Sequence, residues 1–249
     1  MLLAIDTSAG TSVAVVDGDR GVLADIDTAD TMRHAEVIGT LIAECLDRAN
    51  VRVTDLTGVV GGMGPGPFTG LRVGIAAARV FALGAGLPFH PVISHDAIAL
   101  GRYRAGHTGG LVVVTDARRR EVNWSAYSGA DAAGLPVRLA APGVAKPAVL
   151  LESDWAYADL SRADAVTVPA ADLGRVAELL LKNDRAFATD AAFYLRSPDV
   201  TLPNGPKRVS LSDLAGSAAP TPATSTASWP SRPASSRTTP GPPRACSAT

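Results

Sequence analysis

The sequence predicts an α/β fold built from two similar halves. Each half opens with a short apolar strand that leads to an aspartate, Leu2–Ile5 before Asp6 and Leu111–Val114 before Asp116. Two segments rich in strand-forming residues follow in each half, and then a helix and a further strand. This repeated order is that of a duplicated ribonuclease-H-like unit. The chain is accordingly divided into an N-terminal lobe at 1–100, a C-terminal lobe at 101–209 and a tail at 210–249.

The individual elements follow from apolar periodicity and turn residues. In the N-terminal half we predict strands at Leu2–Ile5, Ser12–Val16 and Val22–Ile26, a helix at Met32–Ala49, a strand at Leu56–Val60, a helix within Gly61–Leu83 and a strand at Pro88–Ile93. The first three strands form an antiparallel meander, because a turn at Asp17–Gly21 joins the second to the third. In the C-terminal half we predict strands at Leu111–Val114, Glu121–Tyr127 and Val137–Ala140, a short helical stretch between Val149–Glu152 and Ala165–Val168, and a helix at Leu173–Leu181.

The composition argues against a strongly charged partner and against secretion. The 249 residues carry a formal net charge of −1, so no overall attraction to nucleic acid or to an anionic membrane is expected. Two cysteines, Cys45 and Cys246, make no disulfide framework and fit a reducing compartment. The N-terminal MLLAIDTS has no basic segment, and Asp6 interrupts its apolar run. We therefore expect a cytoplasmic protein with no signal peptide and no membrane span.

The tail differs in composition from the rest of the chain. From Ser210 to Thr249, 30 of 40 residues are Ala, Pro, Ser or Thr, and such a segment buries too little apolar surface to fold. It is interpreted as a disordered linker or, alternatively, as the product of a shifted reading frame in GC-rich coding sequence. In both cases we expect truncation after Val209 to leave the melting temperature and complex formation unchanged. A melting temperature lower by several degrees would show that the tail packs against the lobes.

Asp6 and Asp116 occupy equivalent places at the ends of two strands. In a nucleotide-binding duplication such aspartates face a shared cleft and hold a metal–phosphate group. A vestigial nucleotide cleft of this kind would comprise Asp6, Thr7, Ser8 and Asp116. The alternative is that each aspartate caps the turn after its strand, as aspartate often does. Both interpretations stay open in the sequence.

A turn rich in glycine and proline, GGMGPG at Gly61–Gly66, precedes the second helix. The N-terminus of a helix can bind an anion through its free N–H groups and its dipole, so a phosphate cradle is one interpretation. However, Pro65 and Pro67 have no N–H, and no lysine precedes Lys146 to complete a P-loop. We therefore predict that the turn aims the helix, with Pro67 as its first residue.

The two N-terminal helices have wide apolar faces. Around Val73 and Val80, the second helix carries two apolar stripes, Leu71, Ile75, Ala78 and Ala82 on one side and Gly70, Gly74, Ala77 and Phe81 on the other. The first helix carries a stripe of Ile38, Leu41, Ile42, Cys45 and Leu46. A helix that is apolar nearly all round is buried on more than one side, either within its own lobe or partly against a partner. Two such helices would supply half of a four-helix bundle.

Five segments resemble the TsaB (YeaZ) family, which serves the bacterial tRNA threonylcarbamoyladenosine machinery. They are LLAIDTS, RHAEVIGTLI, GPGPFTGLRVGIAAARVFA, DARRREVNWSAY and YLRSPDV, and the resemblance covers Leu2 to about Val209. It implies an ASKHA (actin-like ATPase) fold, a noncatalytic role and a heterodimer with the paralogue TsaD through the two N-terminal helices. TsaD would transfer the threonylcarbamoyl group to N6 of adenosine 37 in tRNA, and the ATPase TsaE would complete the complex. This chain would contact tRNA only indirectly.

The helix faces and the resemblance together assign a partner-binding set. It comprises His34, Ile38, Leu41, Ile42, Cys45, Phe68, Leu71, Arg72, Gly74, Ile75, Ala78 and Arg79. When the partner is absent, the same apolar surface is expected to form a homodimer. The resemblance places ATP and metal on the partner subunits, so no cofactor is expected on this chain.

The histidine pattern argues against catalysis by this chain. In the catalytic paralogue, two histidines four residues apart on the first helix bind the metal, a spacing that puts both on one helix face. Here the matching stretch HAEVI places His34 four residues before Ile38, which cannot ligate. His34 is therefore predicted to be a helix-start or interface residue, and neither a metal site nor catalytic residues are predicted. The alternative is an autonomous ATP-binding enzyme of the ASKHA kinase/ATPase superfamily that uses Asp6 and Asp116.

Arg118–Arg120 form the one basic run of the chain. A solvated loop is the first interpretation, and a contact with tRNA phosphates or with an acidic subunit is the second. Three arginines would give modest binding that is sensitive to salt.

Overall fold

The computed structural model describes residues 1–29 and 33–195 of the chain. This part contains two five-stranded sheets. Four helices pack on these sheets, α1 at His34–Ala49, α2 at Phe68–Ala85, α3 at Ser94–Arg104 and α4 at Ala170–Lys182. The tail predicted at 210–249 and most of the YLRSPDV segment lie outside the described residues.

The first sheet has the strand order β3-β2-β1-β4-β5. Its strands are β1 at Leu2–Asp6, β2 at Thr11–Asp17, β3 at Gly21–Thr28, β4 at Gly58–Gly62 and β5 at Phe89–Val92. The predicted meander is confirmed, because β1 pairs antiparallel with β2 and β2 pairs antiparallel with β3. On its other edge β1 pairs parallel with β4, and β4 pairs parallel with β5.

The second sheet repeats the central pairing of the first. Its strands are β6 at Leu111–Asp116, β7 at Val122–Ala130, β8 at Pro136–Arg138, β9 at Gly143–Ala145 and β10 at Ser161–Ala165. Strand β6 has an antiparallel neighbour, β7, and a parallel neighbour, β10, as β1 has β2 and β4. The duplicated α/β fold of the ASKHA class is thus confirmed, and the two aspartates end equivalent strands.

Strand β1 is buried on both faces, and each face contributes to a different core. Since side chains alternate along a strand, Leu3 and Ile5 join one apolar cluster with α1 and the middle of α2, whereas Leu2 and Ala4 join another. The second cluster also contains α3, α4 and residues of the second sheet. Helices α1 and α2 therefore lie on one side of the first sheet, and α4 packs on strands β1 and β2 from the other.

Several elements differ from the predictions. Helix α3 was not predicted because its buried positions include Ser94 and His95, so it has no apolar stripe to recognise. Of the two segments predicted to flank a short helical stretch, Val149–Glu152 contains a 3₁₀ turn at Val149–Leu151. The other flanking segment, Ala165–Val168, overlaps strand β10 only at Ala165. Strand β10 has the sequence SRADA, which is poor in the β-branched residues that mark strands. The short strand β9 was also missed.

Candidate functional site

The carboxylate of Asp6 joins three segments at the end of β1. Its Oδ1 accepts hydrogen bonds from the backbone N–H of Ser8 (2.7 Å) and from Ser8 Oγ (2.6 Å). Its Oδ2 accepts one from Ser94 Oγ (2.5 Å), which in turn accepts the N–H of Gly64 (2.9 Å). Asp6 is 1% exposed, and burial raises the pKa of its carboxyl above the ordinary value, although the serine hydrogen bonds oppose that shift. Both carboxylate oxygens are therefore occupied by groups of the chain itself.

The glycines of the GGMGPG turn are explained by its close approach to the Asp6–Ser8 turn. A Cβ added at Gly62 would lie 1.7 Å from Asp6 Oδ2, and one added at Gly66 would lie 2.7 Å from Ser8 Cβ. Gly64 has φ +95°, in the left-handed region that favours glycine. The N–H groups of Met63 and Gly64 donate within the chain, to the carbonyl of Val92 and to Ser94 Oγ, and the Asp6–Ser8 turn fills the space beside Gly62 and Gly66. These contacts favour a turn that aims a helix over one that cradles phosphate. Helix α2 begins at Phe68, one residue later than predicted, with Pro67 as its N-cap.

Thr7 fastens the first turns of α2 to the end of β1. Its hydroxyl donates to the carbonyl of Gly70 (2.6 Å) and accepts the N–H of Gly74 (2.8 Å). These two backbone groups are four residues apart and would bond to each other in a regular α-helix. The Thr7 hydroxyl therefore contacts both partners of this one backbone hydrogen bond of α2. A Cβ at Gly74 would lie 2.3 Å from Thr7 Oγ1. Glycine at this position is therefore a requirement of the close approach.

His34 is the first residue of α1, which confirms the prediction of a helix-start residue. It is buried, and its Nδ1 is hydrogen-bonded to Thr11 Oγ1 (2.6 Å). On the α2 side, a Cβ at Gly70 would lie 3.0 Å from His34 Nε2. Ile38 lies in the apolar core one turn later. Within residues 1–29 and 33–195, no three His, Cys, Asp or Glu side chains form a group that could hold a metal ion.

A cavity of about 450 Å³ opens beside these groups. It is lined by residues of both halves, among them Ser8, His34, Phe68, Thr69, Gly70 and Arg118. Neither Asp6 nor Asp116 is among its lining residues. The side chain of Asp116 is 68% exposed, and its Oδ1 accepts the N–H of Arg118 (3.0 Å). Both aspartates thus cap turns, and a metal–phosphate group held between their carboxylates does not fit this arrangement.

A buried serine–histidine contact lies beneath α3, although no such arrangement was recognised in the sequence. His95 Nδ1 is 2.7 Å from Ser125 Oγ, and His95 Nε2 is 2.9 Å from Thr115 Oγ1. All three side chains are buried, and burial lowers the pKa of His95 to about 3. The imidazole is therefore neutral and inaccessible to a substrate, so the contact joins α3 to the second sheet and does not form a nucleophile–base pair.

Most of the predicted partner-binding set is covered by the chain itself. The buried members are His34, Ile38, Ile42, Cys45, Leu71, Gly74, Ile75 and Ala78. The partly or fully exposed members are Leu41, Phe68, Arg72 and Arg79. The stripe containing Leu71 and Ala78 therefore faces inward, and the exposed side of α2 lies away from both predicted stripes. An interface on these helices stays a prediction, and of the predicted α2 residues only Phe68, Arg72 and Arg79 are exposed enough to take part in it without rearrangement.

A segment after α4, here called the C-terminal strap (residues 187–194), covers part of α2. The N–H of Phe193 donates to the carbonyl of Met63 (2.7 Å), and Phe193 packs beside Leu71 and Ile75. Arg79 donates to Asp190 Oδ1 (2.5 Å). Sequence reasoning missed the strap because it has no periodic pattern, although its last residue, Tyr194, is the first residue of the YLRSPDV motif.

The outward face of α2 is apolar over most of its length. Its exposed residues follow helical spacing at Thr69, Arg72, Ala76, Val80 and Leu83. Val80 is 69% exposed and Leu83 is 83% exposed. By length and composition alone, α2 is long and apolar enough to cross a membrane. Six of its 18 residues are buried against the rest of the chain. An exposed apolar face of this kind is a candidate interaction surface.

The buried Asp6 predicts a pH-dependent difference in stability. Because burial raises its folded-state pKa above 3.8, the folded state binds the proton more tightly than the unfolded state does. The stability that Asp6 contributes is then fully present below the unfolded-state pKa and is lost as pH rises through the folded-state pKa. We expect the free energy of unfolding of wild type minus that of Asp6→Asn to be larger at about pH 4.5 than at about pH 8. Urea unfolding at both pH values measures it, and a difference that increases with pH would contradict it.

The comparison with known families decides where the chain belongs. The model of the family described as "TsaD: tRNA N6-adenosine threonylcarbamoyltransferase" matches residues 22–192. The chain belongs to this family. The TsaD family match covers most of both lobes, including α1, α2 and the C-terminal strap up to residue 192.

Individual relatives confirm the resemblance to the TsaB (YeaZ) members of the TsaD family. An uncharacterized protein of Mycobacterium leprae is 40% identical over 151 residues, 59% of this chain and 39% of that protein. The tRNA threonylcarbamoyladenosine biosynthesis protein TsaB of Escherichia coli is 32% identical over 126 residues, 51% of this chain and 54% of that protein. The chain thus spans about half the length of the curated relatives it matches.

A solved structure supports the fold. A Pseudomonas aeruginosa protein described as similar to peptidase YeaZ superimposes with a TM-score of 0.64 at 24% identity, over 78% of this chain and 99% of that one. At this identity the likeness concerns the fold.

Proposed function

We propose that the chain is a noncatalytic TsaB-type subunit required for N6-threonylcarbamoylation of adenosine 37 in tRNA. It pairs with the TsaD transferase through α1 and α2, positions and activates it, and works together with the ATPase TsaE in the cytoplasm. Support comes from membership of the TsaD family and from the 32% identity to the Escherichia coli protein named TsaB. In this proposal tRNA meets the complex mainly through the transferase.

The observation that carries the proposal is the outward apolar face of α2. Fully burying an exposed Val or Leu side chain is worth about 1.5–3 kcal/mol, and Val80 and Leu83 are both largely exposed. Ala76 lies between Arg72 and Val80 on the same face, and its small side chain leaves room for a partner helix to approach closely. A helix with such a face gains stability when another helix covers it, as in half of a four-helix bundle.

The noncatalytic part of the proposal rests on the groups that would have to react. Asp6 has both oxygens engaged within the chain, and Ile38 stands where the catalytic paralogue has its second histidine. The alternative of an autonomous ATP-binding ASKHA enzyme needs Asp6 at a metal–phosphate group, which its burial and hydrogen bonds disfavour.

Titration calorimetry of the full chain with the TsaD transferase of the same genome tests the pairing. We expect an equimolar heterodimer with a Kd of about 1 μM or tighter, as is typical of a stable interface. Size-exclusion chromatography with light scattering should show the free chain as a homodimer that the transferase converts into the heterodimer. Absence of both binding heat and co-elution would contradict the proposal.

A further inference from the structure

We propose that Arg72 is the recognition residue of the α2 surface and binds a carboxylate of a partner helix. This inference rests on the proposed pairing through α1 and α2 and specifies the chemistry of the partner's side. It also assigns a role to the C-terminal strap, whose Tyr194 holds the guanidinium in place.

Two aromatic residues hold the Arg72 side chain in a defined position. The guanidinium carbon lies 3.7 Å from the ring centroid of Phe68. Arg72 Nε donates to the hydroxyl oxygen of Tyr194 (3.0 Å), and the two rings lie 4.8 Å apart. Stacking on an aromatic face and a hydrogen bond at Nε orient the guanidinium, so less conformational entropy is lost when it binds.

Arg72 differs from most arginines of the chain in what it contacts. Arg79, Arg104, Arg138 and Arg185 each lie within salt-bridge distance of an aspartate. Among residues 1–29 and 33–195, the contacts of Arg72 are the two rings and the Tyr194 hydroxyl. Its terminal N–H groups, Nη1 and Nη2, therefore lie at the surface with no acidic partner among the described residues. A guanidinium in this state matches a carboxylate, which it can bind through two parallel hydrogen bonds.

The surroundings favour a protein carboxylate over a nucleic-acid phosphate. Arg72 lies at the start of the stripe that continues through Ala76, Val80 and Leu83, so a ligand that reaches it also covers an apolar strip one helix wide. A helix with small and apolar residues and one Asp or Glu meets both requirements. A phosphate backbone calls instead for several cations together, and the next arginine along the helix, Arg79, is already paired with Asp190.

The test is the affinity of the full chain for the TsaD transferase, measured by calorimetry at low and high salt. We expect Arg72→Ala to weaken binding about 30-fold or more. Arg72→Lys should recover only part of this loss, because a lysine ammonium does not stack on an aromatic ring and does not form two parallel hydrogen bonds with a carboxylate. Tyr194→Phe, which removes only the hydroxyl, should weaken binding less than Arg72→Ala does. The salt dependence of Kd should be smaller for Arg72→Ala than for wild type. Arg102→Ala is the matched control, because Arg102 is an exposed arginine on α3 rather than on α2, and it should bind as wild type does.

The outcomes separate this inference from the proposed function. If wild type binds the transferase and Arg72→Ala, still folded by circular dichroism, binds equally well, the carboxylate contact is wrong although the pairing holds. If Arg72→Ala reduces tRNA binding in a filter assay and leaves transferase binding intact, the ligand is a phosphate and the inference is also overturned. If wild type does not bind the transferase, the proposed function itself fails.

Discussion

Gly74→Leu is expected to destabilise the chain by about 3 kcal/mol or more, because it forces atoms into an occupied space. A Cβ at this position would lie 2.3 Å from Thr7 Oγ1, and the Thr7 hydroxyl bridges the backbone of α2 at that point. Relief would require both the loss of these buried hydrogen bonds and a shift of the helix. Thermal and urea unfolding followed by circular dichroism measure the effect.

Gly84→Ala is the matched control on the same helix. A Cβ at Gly84 meets nothing within 4 Å, so this variant should be as stable as wild type or more stable by about 0.5–1 kcal/mol, since alanine favours helix. If Gly74→Leu unfolds at the wild-type urea concentration and loses only partner binding, then Gly74 is a surface position and the Thr7 contact does not hold α2.

Val80→Glu is expected to weaken pairing with the transferase by a hundredfold or more while the chain stays folded. Val80 is 69% exposed in the free chain, so a charge there stays solvated and costs little before binding. In the complex the glutamate charge would be buried without an opposite charge beside it. A buried charge that has lost its opposite charge costs about 3–5 kcal/mol. Calorimetric titration beside a circular-dichroism melt measures both quantities.

Val166→Glu is the control for Val80→Glu. Val166 is 78% exposed but lies in the connection between β10 and α4 rather than on α1 or α2, and its substitution should leave pairing unchanged. Loss of folding in Val80→Glu would mean that this side of α2 is core. Unchanged folding with unchanged pairing would mean that the partner binds a different face.

The strand pattern allowed much of the fold to be predicted. Leu2–Ile5 and Leu111–Val114 are short apolar runs followed by Asp6 and Asp116, and both are central strands with one parallel and one antiparallel neighbour. Buried central strands of this type have a strong local signal, because both faces must be apolar. Helices α1 and α2 were found for the same reason, from their apolar periodicity.

The site was less predictable because it depends on contacts between distant residues. Periodicity identifies the faces of α2 but not which of them meets its own sheet, and the stripe of Leu71 and Ile75 turned out to be covered by Met63, Ile93 and the C-terminal strap. The neighbouring Ser8 bonds Asp6 Oδ1, as the turn-cap interpretation expected. The other oxygen, Oδ2, is bonded by Ser94, which lies 88 positions away, and the local sequence does not predict that contact.

Formation of N6-threonylcarbamoyladenosine in tRNA, measured by mass spectrometry of nucleosides, tests the central claim most directly. The reactions contain tRNA, threonylcarbamoyl-adenylate and ATP with Mg²⁺, together with this chain, with the TsaD transferase and TsaE, or with all three proteins. We expect no product from this chain alone, little from the transferase and TsaE, and sustained formation from the complete set, which Val80→Glu should reduce to the level without the chain. Product from this chain alone, or full activity in its absence, would contradict the account.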